Sequence, residues 1–494
     1  MQTAYKRIVI VGGGTAGWMT AVAVATLLPG SEVELVESEE IGIVGVGEAT
    51  FPFIRLFHER VGIDETEFLR ATNGTFKVGA EFRNWRTENH HYFHTFGNFA
   101  DIAGPTSLWS QYRRVNDPAL GVLGEHCLAS VMAMQGRFVK PPSEQSNLFT
   151  YAYHLDAVLY SRFLRAIAEK RGARRTEGRI VGATRRADGG VDRLKLEDGR
   201  DVAGDLFIDC SGFTSLLLGR TLEEPFVDLS HWLPVDRAWA VPCEPSGTEL
   251  TPHTIATALE GGWAWRIPLT DRIGNGHVFS TRYIDEERAR EQLLEQLEGP
   301  ALAEPRLLRF TTGHRERFWV HNVVALGLSS GFLEPLESTS IFLIQRGLLK
   351  MIDLLVPGKQ PTASAVNDYN KNMLKAFANI RDFIILHYCL TERRDSQLWR
   401  DVSSMELPES LAFRMHVWRQ TGELNQYKED GFVPESWLAI YAGMENWPER
   451  LDPVINEVPF EEALRGLHQR RDQINAYVAS MPTHAAYLHR VPGR

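Results

Sequence analysis

Ile8-Val9-Ile10-Val11-Gly12-Gly13-Gly14-Thr15-Ala16-Gly17 is the stretch whose reading decides the fold of this chain. Four apolar, β-branched residues run into Gly12-x-Gly14-x-x-Gly17. An uncharged segment, Trp18–Leu28, follows, and Glu37 closes a second apolar run, Val33–Val36. A dinucleotide-binding βαβ unit needs this order of strand, turn, helix and strand. Gly12 permits the tight turn, Gly14 lets the backbone approach a pyrophosphate, and Gly17 lets the helix pack on the strand. Thr15 and Ala16 open a helix whose N–H groups and positive dipole end favour phosphate. Glu37 stands twenty residues beyond Gly17, where a carboxylate can accept hydrogen bonds from a ribose. Lys6 and Arg7 before an apolar run also imitate a signal peptide. The glycine triplet and the hydroxyls of Thr15 and Thr20 interrupt that pattern, so no targeting signal is expected here. No other uncharged apolar run approaches the ~20 residues that a membrane span requires.

At 494 residues the chain has room for a large core and more than one domain. A formal charge of −10, with no run of Lys or Arg, argues against a nucleic-acid surface. Cys127, Cys210, Cys243 and Cys389 lie far apart with no CxxC, which indicates neither a zinc site nor a disulfide framework. Reduced thiols in a cytoplasmic enzyme are the expectation, with no metal and no membrane partner. Twelve tryptophans and twenty-five phenylalanines leave enough rings beyond the core to line an aromatic pocket.

Ile43–Pro52 is rich in glycine and lacks a helical period, so it reads as a loop. Helical spacing runs from Ile54 to Thr72 and from Leu155 to Lys170. Arg179–Ala183, Val191–Leu196 and Asp205–Cys210, separated by Asp188-Gly189-Gly190 and Asp198-Gly199, read as a small β-meander. Val323–Gly331 is a third strand running into small residues, followed by a helix over Ile341–Leu355. Beyond Val356 the pattern is mostly helical, as in Phe460–Met481. Three strand-to-small-residue turns, near 12, 211 and 330, point to one nucleotide domain assembled from distant segments. The expected organisation is an FAD-binding core over 1–350 with an inserted substrate region, and a mainly helical part over 351–494 packed on it. A second GxGxxG is absent, and the fingerprint, meander and late glycine turn favour FAD over NAD.

Four features resemble one family, the flavin-dependent tryptophan halogenases, over nearly the whole chain. They are Gly12-Gly-Gly-Thr-Ala-Gly-Trp18; Gly45-Val-Gly-Glu-Ala-Thr50, similar to the family's flavin strap; Trp263-Ala-Trp-Arg-Ile-Pro268, matching WxWxIP; and Phe332-Leu-Glu-Pro-Leu-Glu-Ser-Thr-Ser340. The resemblance implies an α/β, Rossmann-like fold of the aromatic-hydroxylase type. It also implies that FADH2, supplied by a separate flavin reductase, reacts with O2 and oxidises halide to hypohalous acid. That oxidant then reaches a lysine and halogenates an electron-rich small aromatic. Cofactor contacts carried over are Gly12, Gly14, Thr15, Ala16, Gly17, Glu37, Gly47, Glu48, Ala49, Thr50, Gly327 and Leu333.

Lys77 matches the family lysine. A lysine at random is a solvated surface residue, but Phe76 and Val78 flank this one with apolar side chains. A buried ammonium suits either hydrogen-bond donation or nucleophilic capture. Glu337 matches the family glutamate, which can stabilise the cationic arene and accept its proton. Its ordinary role would be to offset the dipole of the following helix, and Glu334 is an alternative by residue type only. Backbone amides of Thr339 and Ser340 correspond to the halide contacts; many relatives carry Gly where this chain has Ser340. His94 and Phe96 resemble the clamp that stacks the substrate ring, with Glu337 and Ser338 on the substrate side.

Tryptophan-specific members grip the amino-acid end with a tyrosine- and carboxylate-rich segment. Here the corresponding region, Asp430–Trp447, has no adjacent tyrosine pair, so an indole or larger indole- or phenol-bearing molecule is the expected substrate. A flavin-dependent aromatic hydroxylase of the same fold and an inactive FAD-binding relative stay open as alternatives. Bromide against chloride, and monomer against homodimer, are also open.

Overall fold

The computed structural model describes residues 5–41, 47–99, 104, 106–142, 147–247, 250–355, 359–424 and 431–491. The fingerprint strand, Arg7–Val11, lies inside a six-stranded sheet. Across that sheet run Trp319–Val320, Val323–Ala325, Leu206–Asp209, Arg7–Val11, Glu32–Glu37 and Arg174–Glu177. All neighbours pair in parallel except Trp319–Val320. Strands of a parallel sheet are covered on both faces, which explains a continuous rather than alternating apolar run. Ile8, Val9, Ile10 and Val11 are each at most 1% exposed. Helix Thr15–Leu27 is buried from Gly17 to Val24, as expected for a helix apolar on all sides.

Two sequence expectations change. The helical pattern over Ile54–Thr72 is two helices, Phe53–Val61 and Glu65–Ala71. Gly62 ends the first in the left-handed region at φ +65, and the Asp64 side chain caps the second by accepting from the Glu67 amide. The meander is Ile180–Arg185, Val191–Leu196 and Asp201–Ala203; Leu206–Asp209 leaves it and pairs with Arg7–Val11 instead. Its residues are buried on both faces, which an exposed meander cannot satisfy.

The chain forms two compact units, each assembled from three stretches, and does not divide at residue 350. One contains residues 1–74, 155–236 and 309–378, hence the parallel sheet; the other contains 75–154, 237–308 and 379–494. The second unit is built on a seven-stranded sheet. Its order is Arg306–Arg309, Arg237–Cys243, Ile273–Phe279, Gly262–Pro268, Thr254–Ala258, Gly79–Arg83 and His91–Thr95. Its later helices are Glu409–Thr421, Pro434–Gly443, Phe460–Ala479 and His484–Leu488. Among the described residues, no helix is long and apolar enough to cross a membrane. Nor does any group of three or more His, Cys, Asp or Glu there have the arrangement to hold a metal.

Candidate active site

In the first unit the three strand-to-small-residue turns meet. Gly12 has φ +106, and a β-carbon built on it would lie 2.4 Å from the Cys210 carbonyl oxygen. Cys210 N–H donates to Val11 O at 2.8 Å, and Gly12 N–H donates to Val36 O at 2.9 Å. The Leu326 amide donates to Asp209 O at 2.9 Å, and Ser329 Oγ donates to the same carbonyl. A β-carbon on Gly327 would stand 2.9 Å from that of Ala16. The buried Asp209 carboxylate, which sequence reasoning missed, accepts from Ser211 N and Oγ and from the amides of Leu217 and Leu218. An acid ending a buried strand before Cys-Ser-Gly was the available signal.

The residues of this unit fit FAD. A β-carbon on Gly17 would collide with Gly12 O at 1.9 Å, so Gly17 is required by the chain itself. Gly14 differs: nothing lies within 4 Å of the place a side chain would occupy. That open space adjoins a helix N-terminus with no side-chain cap and no acid in its first turn. Unsatisfied N–H groups beside free space are what a pyrophosphate needs. Glu37 lies over the turn, its Oε2 filling the place a Gly13 side chain would take. Its other oxygen accepts from Arg175 Nε at 2.7 Å. Arg175 also escaped sequence reasoning; it arrives from strand Arg174–Glu177, 138 residues away.

Gly47–Ala49 of the strap is a short strand followed by buried Thr50; Gly45 and Val46 lie outside the described residues. Loss of hydration pushes the Glu48 carboxyl up to about 7. Past the strap, Phe51 and Phe53 pack on Phe342 with ring centroids 5.3 and 5.4 Å away. Phe342 belongs to helix Ser340–Leu355, which begins just after the 3₁₀ turn Pro335–Glu337. Ser338 joins them at φ +60, a left-handed conformation that a non-glycine residue holds only when its surroundings impose it. Leu333, Glu334 and Glu337 are buried. Leu343 N–H donates to Thr339 O, so the Thr339 and Ser340 amides stand at the helix N-terminus, where anions are favoured.

In the second unit the structure brings Lys77, His94 and Phe96 together. Strand Thr75–Lys77 pairs antiparallel with Ala152–Asp156. Strand alternation puts Phe76 on the face opposite Lys77, where it stacks on Phe138 at 4.4 Å. Lys77 is 2% exposed, and its Nζ stands 5.4 Å from the Phe96 ring centroid. Phe96 N–H donates to Val78 O at 2.8 Å, which sets that approach. The buried His94 ring lies 5.4 Å from Phe383 and 6.1 Å from Phe432, which stack on each other at 3.8 Å. Trp437 meets Phe383 edge-on at 5.0 Å. Phe432 and Trp437 fall in the segment that lacks the tyrosine pair of the tryptophan-specific grip; Phe383, in helix Ala363–Cys389, carried no local signal. Trp263 and Trp265 are buried in strand Gly262–Pro268, with Trp263 against Trp85 at 6.5 Å.

The glycine cradle and the acid above it define a dinucleotide-binding protein of the α/β class. The tryptophan halogenase family model matches residues 7–460. Tryptophan 6-halogenase SttH of Streptomyces toxytricini is 34% identical, over 98% of this chain and 97% of its own length. Xcc4156, a flavin-dependent halogenase from Xanthomonas campestris, is 43% identical with a TM-score of 0.95, covering 99% of this chain and 98% of that one. BrvH, a flavin-dependent halogenase from Brevundimonas sp. BAL3, is 39% identical with a TM-score of 0.92 and covers 99% of both chains. The chain belongs to the tryptophan halogenase family and is a flavin-dependent halogenase.

Proposed function

We propose that this halogenase passes hypohalous acid through Lys77 to an indole-type ring lying against His94 and Phe96. The observation that carries the reading is a buried lysine whose ammonium stands over Phe96, with His94 packed against the same ring. Reduced FAD, delivered by a separate reductase and held at Gly12, Gly14, Thr15, Ala16, Gly17, Glu37, Gly47, Glu48, Ala49, Thr50, Gly327 and Leu333, supplies with O2 the oxidation of halide. The amides of Thr339 and Ser340 hold the halide. Lys77 orients the resulting hypohalous acid by hydrogen bonding. The arene carbon attacks the halogen; the carbon–halogen bond forms as the oxygen–halogen bond breaks, and the oxygen leaves as water with a proton from Lys77. Glu337 takes the ring proton, and Ser338 lies on the substrate side of the same segment.

Several relatives are named as tryptophan halogenases, SttH among them. For this chain the proposed substrate is an arene without the amino-acid end. Phe432 and Trp437 turn the segment after residue 430 into an aromatic wall around His94 and Phe383. A buried zwitterion needs a partner for each charge. The test pairs wild type with Lys77→Ala, using a flavin reductase, bromide and equal indole and tryptophan. Brominated indole, mainly at C3, should dominate and should disappear in the variant. A preference for tryptophan, or product undiminished in Lys77→Ala, contradicts the reading; a hydroxylated product independent of halide would indicate hydroxylation instead.

A further inference from the structure

The three-residue strand that carries Lys77 is held by a polar chain of residues other than those assigned above to cofactor and substrate. Thr75 lies on the same strand face as Lys77 and donates its hydroxyl hydrogen to the Pro268 carbonyl at 2.8 Å. Its oxygen is 2.9 Å from His154 Nδ1. A hydroxyl has one hydrogen to give, so Thr75 must accept from His154, and the imidazole proton is on Nδ1. Nε2 is therefore the acceptor, and it takes the Thr254 hydroxyl hydrogen at 3.0 Å. Every donor in the run Thr254, His154, Thr75, Pro268 is matched to an acceptor in a single direction. The register sets Thr75 opposite His154 and Lys77 opposite Ala152, so His154 and Lys77 are diagonal neighbours on one face.

The chain ties three segments. Pro268 closes the WxWxIP strand, Thr254 opens the adjoining strand Thr254–Ala258, and His154 belongs to the partner strand of Lys77. His154 is fully buried, and burial, with the Lys77 charge next, holds its imidazole well below the usual range. On the other side of Lys77's neighbour, His484 Nε2 accepts from the Phe76 amide at 3.1 Å, which leaves its Nδ1–H to donate to Leu250 O at 3.0 Å. Two neutral imidazoles of fixed tautomer thus grip the residues just before Lys77.

We propose that His154 is a positioning residue for Lys77: the Thr254–His154–Thr75–Pro268 chain fixes the direction in which the ammonium is presented to the oxidant. This rests on the reading of Lys77 as the group that receives oxidised halide. A displacement of an ångström at such a group is worth on the order of 100-fold in rate, and three residues of strand pairing are a weak restraint by themselves.

The test uses the full-length, FAD-loaded enzyme with its reductase, bromide, indole and an excess of an enol trap for escaped hypobromous acid. His154→Leu should cut brominated indole by about tenfold or more while trapped oxidant rises to match, leaving total bromide oxidation within about twofold of wild type. His154→Asn, whose amide nitrogen can replace Nδ1–H toward Thr75, should recover much of the product. A wild-type partition in His154→Leu overturns the proposal. So does an equal loss of total oxidation and product, which marks a purely structural role. If His154→Leu does not fold, Thr254→Val must shift the partition the same way, and an unchanged partition there is equally decisive against it. Nitrogen NMR of labelled histidine should show His154 as the neutral Nδ1–H tautomer; the Nε2–H form would refute the chain. Lys77→Ala run alongside separates the two ideas. Product surviving in Lys77→Ala removes the lysine reading and this inference with it, whereas loss there combined with a normal His154→Leu removes the inference alone.

Discussion

Substituting Gly14 and Gly17 by alanine should have opposite consequences, although both belong to one fingerprint. Gly14 has φ −75 and ψ −175, a conformation alanine adopts without strain, and an added methyl meets nothing within 4 Å. Gly14→Ala should therefore leave the FAD-free protein as stable as wild type or about 0.4–1 kcal/mol more stable, through the entropy of the unfolded chain. The same methyl would occupy the space assigned to the pyrophosphate. FAD affinity should fall by about tenfold or more, roughly 1.4 kcal/mol. At Gly17 the built β-carbon is 1.9 Å from Gly12 O, about 1.4 Å inside the closest ordinary C···O approach of ~3.3 Å. The acceptor is backbone in the tightest turn of the sheet, so helix and strand must separate, at about 1–3 kcal/mol or more. The assay is thermal unfolding without FAD, followed by titration with FAD read by quenching of flavin fluorescence. Full FAD affinity in Gly14→Ala would show that the open space is not the cofactor's. A wild-type melting temperature in Gly17→Ala would refute the packing argument.

Glu337→Gln should lower halogenation by about 100-fold if the carboxylate accepts the ring proton, with FAD binding unchanged; an unaltered rate would leave it a helix-terminal charge only. Burial holds the imidazoles of His58, His126 and His277 low, at about 3, 4 and 4. Each stays neutral when folded and gains a proton on unfolding below its ordinary value near 6.5. Their contribution is thus complete above that pH and declines as pH falls toward the folded values, by about 2 kcal/mol each at pH 5. Urea midpoints at pH 5 and pH 8 measure this, and equal midpoints would contradict it.

Sequence by itself settled the nucleotide half of the molecule at close range. The fingerprint's demands are local: an apolar strand, a left-handed glycine at φ +106, a close-packed Gly17 and an acid at the end of the next strand. All fall within residues 8–37, and backbone sterics allow few ways to satisfy them. The meeting of the turns near 12, 211 and 330 was also legible, because each is an apolar strand ending in small residues. Apolar periodicity could not show that Leu206–Asp209 leaves the meander, since a short buried strand reads alike in either sheet. Nor could it show that one helical stretch breaks at Gly62.

Polar partners depended on tertiary structure alone. Arg175 reaches Glu37, His154 reaches Thr75 and Thr254, and His484 reaches Phe76 across 138, 79, 100 and 408 residues. A hydrogen bond imposes no period on the chain, and its donor can come from any segment that packing brings near. Lys77 was singled out by its motif. The hydroxyls and imidazole that hold its strand become apparent only when the sheets bring distant segments together, because buried polar groups must then find partners within reach.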